Sequence, residues 1–136
     1  MTDVGITEGT KQHLINLADS NRQNAYCPYS EFSVGSAVFS NGMIYHGSNV
    51  EIGGRMGTVH AEMLAVYNAI VDGNDGIDAI ATSTDDKEGE AMCSMCQHVV
   101  AEFSTDVLIV ADTGDGYVEQ SLEEELGEVF IPGDNR

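Results

Sequence analysis

The chain has 136 residues, of which 42% are hydrophobic, and this is enough for one domain with a core of ordinary size. Its 23 acidic residues against five basic ones give a net charge of −18, which repels phosphate backbones and argues against nucleic-acid binding. The sequence contains no apolar run of about 18 residues, so it does not predict a membrane span. Its first residues are neither basic nor apolar enough for a signal peptide, so it does not predict secretion. We therefore expect one cytoplasmic domain over residues 1–136. Acidic residues with almost no lysine favour a halophilic source, because salt screens their mutual repulsion.

The first part of the chain predicts a helix followed by a hairpin. Residues 7–24 have the apolar spacing of an amphipathic helix, and Thr7 is available as its N-cap. The chain becomes strand-like from Phe32 onward. The "SNG" at residues 40–42 is a two-residue hairpin signal that leads into a second strand, "MIYHGSNV".

The rest of the chain alternates helices with strands. After a glycine-rich loop, Thr58 is the expected N-cap of a helix that runs to about Val71. The strand "IDAIATST", the helix "CSMCQHVVAEF" and the strand "DVLIVADT" follow, then a last strand "GYVEQ" and a short closing helix "SLEEELGEVF". Such alternation favours α/β units with some parallel pairing. We expect a three-layer α/β/α domain with a mixed sheet of about five strands.

Two of the three cysteines, Cys93 and Cys96, form a Cys-x-x-Cys pair at the head of a predicted helix. An odd number of cysteines does not suit a disulfide framework, so metal or redox use is favoured. The two-residue gap lets both sulfurs reach one ion, and the positive end of the helix dipole favours the thiolate. Zinc suits this pair, but a redox pair, two buried small residues or half of a four-ligand structural site are also consistent with it.

His60 and Glu62, in "GTVHAEMLAV", stand at the start of the other predicted helix. Both this helix and the one at Cys93 follow strands of one expected sheet, so their N-terminal ends can converge at its edge. With Cys96 this gives three zinc ligands and an open fourth position for water, whose pKa the metal lowers from about 15.7 toward 7. Glu62 then lies where a carboxylate can move protons between water and a substrate.

The combination of "HAE" with a later "CxxC" at the start of a helix resembles the signature of zinc-dependent nucleobase deaminases. More narrowly, "CPYSEFSVGSAVFSNG" is similar to the opening of cytidine deaminases, "SNVEIGG" to their ribose-binding loop and "SLEEELGEVF" to their C-terminal segment. The resemblance extends over residues 25–130 in one collinear order. It implies hydrolytic deamination of cytidine and 2′-deoxycytidine in pyrimidine salvage, by a homo-oligomer that is most often a tetramer.

The resemblance also assigns the metal and the proton shuttle. It implies that His60, Cys93 and Cys96 bind one Zn²⁺ per chain and that Glu62 is the catalytic proton shuttle. Zinc with two thiolates is already near neutral, which agrees with a neutral histidine as the third ligand.

Further positions match substrate-binding residues of the family. Asn49 and Glu51 match the residues that hydrogen-bond the ribose 3′-hydroxyl, and Phe32 matches an aromatic residue against the pyrimidine ring. Phe130 matches a terminal aromatic residue that closes a neighbouring subunit's pocket, and Ala61 is implied in substrate binding. For the two phenylalanines, packing in the core is an equally good explanation.

The chain departs from the family pattern at several positions. Compact members carry "CAER" where this chain has "HAEM", their "PCxxCRQ" is here "MCSMCQH", and Arg55 stands where a tyrosine is usual. These changes motivate a first alternative, a deaminase of another aminated nucleoside, nucleotide or nucleoside antibiotic. A second alternative is a non-catalytic protein whose zinc is closed by Cys27 or His98.

Overall fold

A computed structural model describes residues 6–54, 56–89, 92–104 and 106–122, and the fold is given for these ranges. These ranges contain three α-helices and five strands, and a short 3-10 turn at Arg22–Asn24 follows the first helix. In chain order the elements are α1 (Glu8–Asn21), β1 (Val34–Ser40), β2 (Met43–Ser48), α2 (Ala61–Val71), β3 (Ala79–Thr84), α3 (Ser94–Phe103), β4 (Leu108–Asp112) and β5 (Tyr117–Ser121).

The five strands form one mixed sheet in the order β2-β1-β3-β4-β5. Among the described strands, β3 and β4 are the parallel pair, and the other neighbouring strands are antiparallel. Helix α1 packs on one face of this sheet, whereas α2 and α3 share the apolar core on the other. The expected three-layer α/β/α architecture with a mixed sheet of five strands is confirmed.

The predicted hairpin joins β1 to β2. Asn41 and Gly42 form its two-residue turn, with φ of 53° and 82°, and Ser40 pairs with Met43 across it. Positive φ at both positions is the requirement of a type I′ turn, whose twist matches that of the flanking strands. The "SNG" signal is therefore confirmed as the first strand connection.

Helix α1 begins where the sequence predicts. The Thr7 side chain accepts a hydrogen bond from the Thr10 backbone N–H, which satisfies one of the unpaired donors of the first turn. Leu14, Ile15 and Ala18 are buried against the sheet, as the apolar spacing implies. The helix ends at Asn21, three residues before the predicted end.

The prediction that Thr58 caps α2 is wrong, because α2 starts at Ala61 and His60 occupies the N-cap position. The Thr58 hydroxyl instead accepts a hydrogen bond from the Ile52 backbone N–H at 2.9 Å, inside the loop. Val59 then pairs with Val50 in an antiparallel bridge, so the chain stays extended up to His60. This bridge delays the helix and brings His60, rather than Thr58, to its first turn.

Residues 123–130 of the predicted closing helix, which include Phe130, lie outside the described residues, as does Arg55, and Ser121 at the start of that prediction is the last residue of β5. Leu122, at the end of the described part, is fully buried in the core that α2 and α3 share. Within the described ranges, each helix is too short or too polar to cross a membrane.

A glycine sets the distance between α2 and the sheet. A Cβ added at Gly47 of β2 would lie 2.1 Å from the Ala61 carbonyl oxygen, the first residue of α2. The oxygen belongs to the backbone and the Cβ is bonded rigidly to it, so neither atom can move aside as the end of a flexible side chain does. Gly47 therefore lets the first turn of α2, which carries His60 and Glu62, lie directly on β2.

We expect Gly47→Ala to destabilise the protein by about 1–3 kcal/mol, the usual cost of overpacking, and to weaken the zinc binding that the sequence predicts. The clash displaces the first turn of α2, and His60 moves with it. Gly76→Ala is the matched control, because an added Cβ there meets no atom within 4 Å. Thermal unfolding and metal analysis of both variants check this, and equal Tm and zinc content in the two would contradict it.

Candidate active site

Three side chains from two helices converge on one point. His60 Nδ1 lies 3.3 Å from Cys93 Sγ and 3.3 Å from Cys96 Sγ, and all three ligand atoms lie within 4.8 Å of one another. His60 and Cys93 are the N-cap residues of α2 and α3, and Cys96 lies in the first turn of α3. The predicted convergence of the two helix starts is therefore observed, and the three residues are placed to bind a metal ion.

The donor set and its spacing fit zinc. A tetrahedral zinc, with bonds of about 2.3 Å to sulfur and 2.0–2.1 Å to nitrogen, separates the two donors by about 3.6 Å. The separations of 3.3 Å between His60 Nδ1 and each sulfur differ from this by a few tenths of an ångström. Burial, reinforced by the Glu62 carboxylate, raises the pKa of the Cys96 thiol, so its thiolate needs a cation beside it.

The two residues considered as a fourth zinc ligand, Cys27 and His98, lie outside the cluster. In the described part of the chain, neither Cys27 nor His98 belongs to the group of potential metal ligands. His98 Nδ1 lies 2.8 Å from the Ser94 carbonyl oxygen on its own helix. Three protein ligands are the number found in catalytic zinc sites, which keep one position open.

Glu62 is a buried carboxylate beside the cluster, with only 6% of its surface exposed. Its Oε1 lies 3.6 Å from Cys96 Sγ, and its Oε2 accepts a hydrogen bond of 3.1 Å from the Thr82 hydroxyl. Thr82 is a site residue that was not predicted from the sequence. The signal for it is the alternation of "IDAIATST", where Thr82 shares a face with Ile80 at a position that a purely apolar core would fill with valine.

A cavity of about 310 Å³ opens next to the cluster, a volume at the lower end of small-molecule sites. It brings together most of the predicted site residues, namely Phe32, Asn49, Glu51, His60, Ala61, Glu62 and Cys93. Its other lining residues were not predicted as site residues: Ser30, Val34, Thr58, Thr82, Thr84 and Met92. Of the predicted residues, Phe32 is half-buried and Ala61 is fully buried.

Asn49 shapes the wall of this cavity. Its Oδ1 accepts a hydrogen bond from the Val34 backbone N–H, and its Nδ2 donates one to the Phe32 carbonyl oxygen, both at 2.9 Å. The side chain thus fixes the segment that carries Phe32. An amide has two donors and two acceptor sites, so these two bonds leave one donor and one acceptor for a ligand.

Glu51 is held by the loop that faces it. Its Oε1 accepts hydrogen bonds from the backbone N–H groups of Tyr29 and Ser30, each at 3.1 Å, and the Ser30 hydroxyl donates to Oε2. These bonds, that of the Ser30 hydroxyl above all, lower the pKa of Glu51 below its ordinary value. Glu51 is therefore an anion at neutral pH, with its position set before a ligand arrives.

The fold and this site together define a zinc-binding α/β enzyme. The model of the cytidine and deoxycytidylate deaminase zinc-binding region matches residues 8–112. The chain belongs to this family and is a zinc-binding deaminase.

Individual proteins of the family are similar to this chain over most of its length. The cytidine deaminases of Sporosarcina psychrophila and Halalkalibacterium halodurans are each 33% identical to it, over 90% of this chain and 88% and 92% of their own. A crystal structure of cytidine deaminase from Burkholderia pseudomallei superposes with a TM-score of 0.80 at 31% identity, covering 87% of this chain and 97% of that one. The corresponding structure from Mycobacterium tuberculosis gives 0.74 at 26%, covering 87% and 94%.

We expect Cys93→Ala and Cys96→Ala each to bind much less zinc and to lower the Tm, because the ion ties the starts of α2 and α3 together. Cys27→Ala is the matched control, since Cys27 is outside the ligand group, and it should keep one zinc per chain. Metal analysis and thermal unfolding of the three variants provide the measurement. Full zinc content in either ligand variant would show that the cluster is not the metal site.

Proposed function

We propose that the chain catalyses the hydrolytic deamination of cytidine and 2′-deoxycytidine to uridine and 2′-deoxyuridine, with release of ammonia. The observation that carries this proposal is the three-ligand cluster beside a buried carboxylate, at one end of a cavity large enough for a small ligand. The relatives named cytidine deaminase, which span about 90% of this chain, support the choice of substrate.

In the proposed enzyme His60, Cys93 and Cys96 hold one Zn²⁺. The ion, when bound, lowers the pKa of water from about 15.7 toward 7 and so makes a nucleophile available at neutral pH. The position of His60 and Cys93 at helix N-caps supports this assignment, since both side chains are fixed by the start of a rigid element.

Glu62 is proposed as the group that moves protons. The reaction replaces the C4 amino group by oxygen. One proton of the attacking water must therefore reach N3 of the ring, and the other must reach the amino group that leaves as ammonia. A carboxylate accepts the first proton, gives it to N3, and repeats the transfer from the C4 hydroxyl to the amino group. The burial of Glu62 next to the cluster and its place in the cavity lining support this role.

The remaining cavity residues are proposed to select a nucleoside. Phe32 offers apolar surface to the flat base, and Ala61 lies behind it in the cavity lining. Asn49 and Glu51 offer an amide and a carboxylate to the ribose 3′-hydroxyl. The described lining contains the two carboxylates of Glu51 and Glu62 but no lysine or arginine. A 5′-phosphate would meet repulsion there without a compensating cation, which favours nucleosides over nucleotides.

We also propose that the active unit is a homo-oligomer, with a tetramer favoured, formed from chains that are each one domain over residues 1–136. Exposed apolar side chains support a partner surface. Tyr29 and Ile52, which line a second cavity together with Glu51, are 65% and 45% exposed, and Met56 is 96% exposed. Phe130 is proposed to reach a neighbouring pocket. A cytoplasmic role in pyrimidine salvage, in a halophilic source, agrees with the reaction and the charge of −18.

We expect the zinc-loaded protein to release ammonia from cytidine and 2′-deoxycytidine, and Glu62→Gln to retain zinc while losing about 10²–10⁴-fold in kcat. The amide has nearly the shape of the carboxylate but cannot shuttle a proton. Glu102→Gln, a change of the same type at an exposed position of α3, is the matched control and should keep full activity.

Ammonia release from a panel of nucleosides, cytidine 5′-monophosphate and nucleoside antibiotics is the measurement. Turnover of another member of the panel in preference to cytidine would replace the proposed substrate. Normal activity in Glu62→Gln would remove Glu62 from the proposed mechanism.

We expect oligomer mass and activity to fall together as salt is diluted. Each subunit carries a net charge of −18, and the repulsion between subunits grows as the Debye length increases from about 3 Å at 1 M salt to about 10 Å at 0.1 M. If Phe130 completes a neighbouring pocket, truncation before Phe130 should also raise KM without changing zinc content. Light scattering beside the deaminase assay tests this, with sucrose of equal osmolality as the uncharged control, and a fully active monomer in dilute buffer would contradict it.

A further inference from the structure

Thr82 is a buried hydroxyl on the strand at the centre of the sheet. In β3 it pairs with Ser36 of β1 on one side and with Ala111 of β4 on the other, and it is 5% exposed. Ile80, two residues earlier and on the same face, packs in the apolar core under α2 and α3. A hydroxyl at such a place is unfavourable unless it has a hydrogen-bond partner.

The partner of this hydroxyl is the carboxylate of Glu62. In the described part of the chain, two groups approach that carboxylate within bonding distance, one at each oxygen. The Thr82 hydroxyl donates to Oε2 at 3.1 Å, and Cys96 Sγ lies 3.6 Å from Oε1. Thr82 therefore fixes one carboxylate oxygen on the sheet, and the other oxygen lies on the side of the metal cluster.

The two contacts differ once Cys96 binds a metal. A cysteine ligates zinc as a thiolate, which has no proton to donate and carries the same sign of charge as Glu62. The Thr82 hydroxyl, by contrast, is not a ligand and keeps its proton. It is thus the donor that continues to hold the Glu62 carboxylate in the loaded site.

We infer that Thr82 is a positioning residue for Glu62, which anchors Oε2 so that Oε1 lies toward the reacting atoms. This inference rests on the proposed function, in which Glu62 moves protons. It extends that function by a residue that is outside the metal-ligand group and that, although it lines the cavity, is only 5% exposed. A residue of this kind should affect the rate of the chemical step far more than the affinity for substrate.

The test compares Thr82→Val with Thr82→Ser in the zinc-loaded protein. Valine has the shape of threonine and suits a strand, but it cannot donate a hydrogen bond. We expect Thr82→Val to lower kcat by about 10- to 100-fold, as misplaced catalytic groups do, with KM nearly unchanged and one zinc per chain. Thr82→Ser retains the hydroxyl and should restore most of the rate.

Ser36→Ala is the matched control. Ser36 is also a fully buried hydroxyl on a neighbouring strand, but it donates to the Ala81 carbonyl oxygen at 2.9 Å and not to Glu62. The change should lower the Tm and leave kcat unchanged. A loss of kcat in Ser36→Ala as large as in Thr82→Val, or a failure of serine to restore the rate at Thr82, would overturn the inference.

A second measurement does not depend on activity. Urea unfolding of the zinc-loaded protein is compared for Thr82→Val, Glu62→Ala and the double variant. We expect Thr82→Val to lower the free energy of unfolding clearly when Glu62 is present. In the Glu62→Ala variant the same change should have little effect, because the Thr82 hydroxyl has already lost its acceptor there. Additive destabilisation would show that the two side chains are not coupled and would overturn the inference. If the wild type released no ammonia from cytidine, the proposed function would fail while this cycle still decided whether Thr82 holds Glu62.

Discussion

The convergence of two helix N-termini on one point is the constraint on which the rest of the site depends. His60 Nδ1 lies 3.3 Å from both cysteine sulfurs, although His60 and Cys93 are 33 residues apart in the sequence. Such a separation is defined only if α2 and α3 are each fixed against the sheet. The shared core of these helices, with Ala65 and Val100 fully buried in it, supplies that rigidity. Zinc then contributes to stability by joining two elements that packing has already brought together.

Backbone contacts bring the other cavity-lining residues to the same place. Gly47 lets the first turn of α2 lie against β2, and the bridge between Val50 and Val59 holds the chain extended up to His60. Asn49 accepts a hydrogen bond from Val34 at the start of β1, and Glu51 accepts one from Tyr29 in the loop before it. The cavity wall is therefore pre-organised, which lowers the entropy lost when a ligand is bound.

Ion pairs contribute little to the stability of the fold. Lys11 pairs with Glu119, Arg22 with Asp19 and Asp85, and Lys87 with Asp19, so these three basic residues are used in ion pairs near the protein surface. The Lys87 ammonium is the main cause that lowers the pKa of Asp19. Partly exposed pairs of this kind are worth about 0–1 kcal/mol each and are screened by salt. The stability of the domain must therefore come mainly from its two apolar cores.

Local chemistry explains which features the sequence by itself determined. Turn residues and apolar spacing predict the hairpin at Asn41 and Gly42, the cap at Thr7 and the order of strands and helices, because each depends on neighbours in the chain. The Cys-x-x-Cys pair and the "HAE" segment, 33 residues apart, predict zinc chemistry because together they resemble a family signature. Only the tertiary structure decided that Val59 pairs with Val50, which moves the N-cap of α2 from Thr58 to His60. It alone also brings the Thr82 hydroxyl to Glu62, across 20 residues of sequence, because a contact between elements depends on how they pack and not on the pattern of either one.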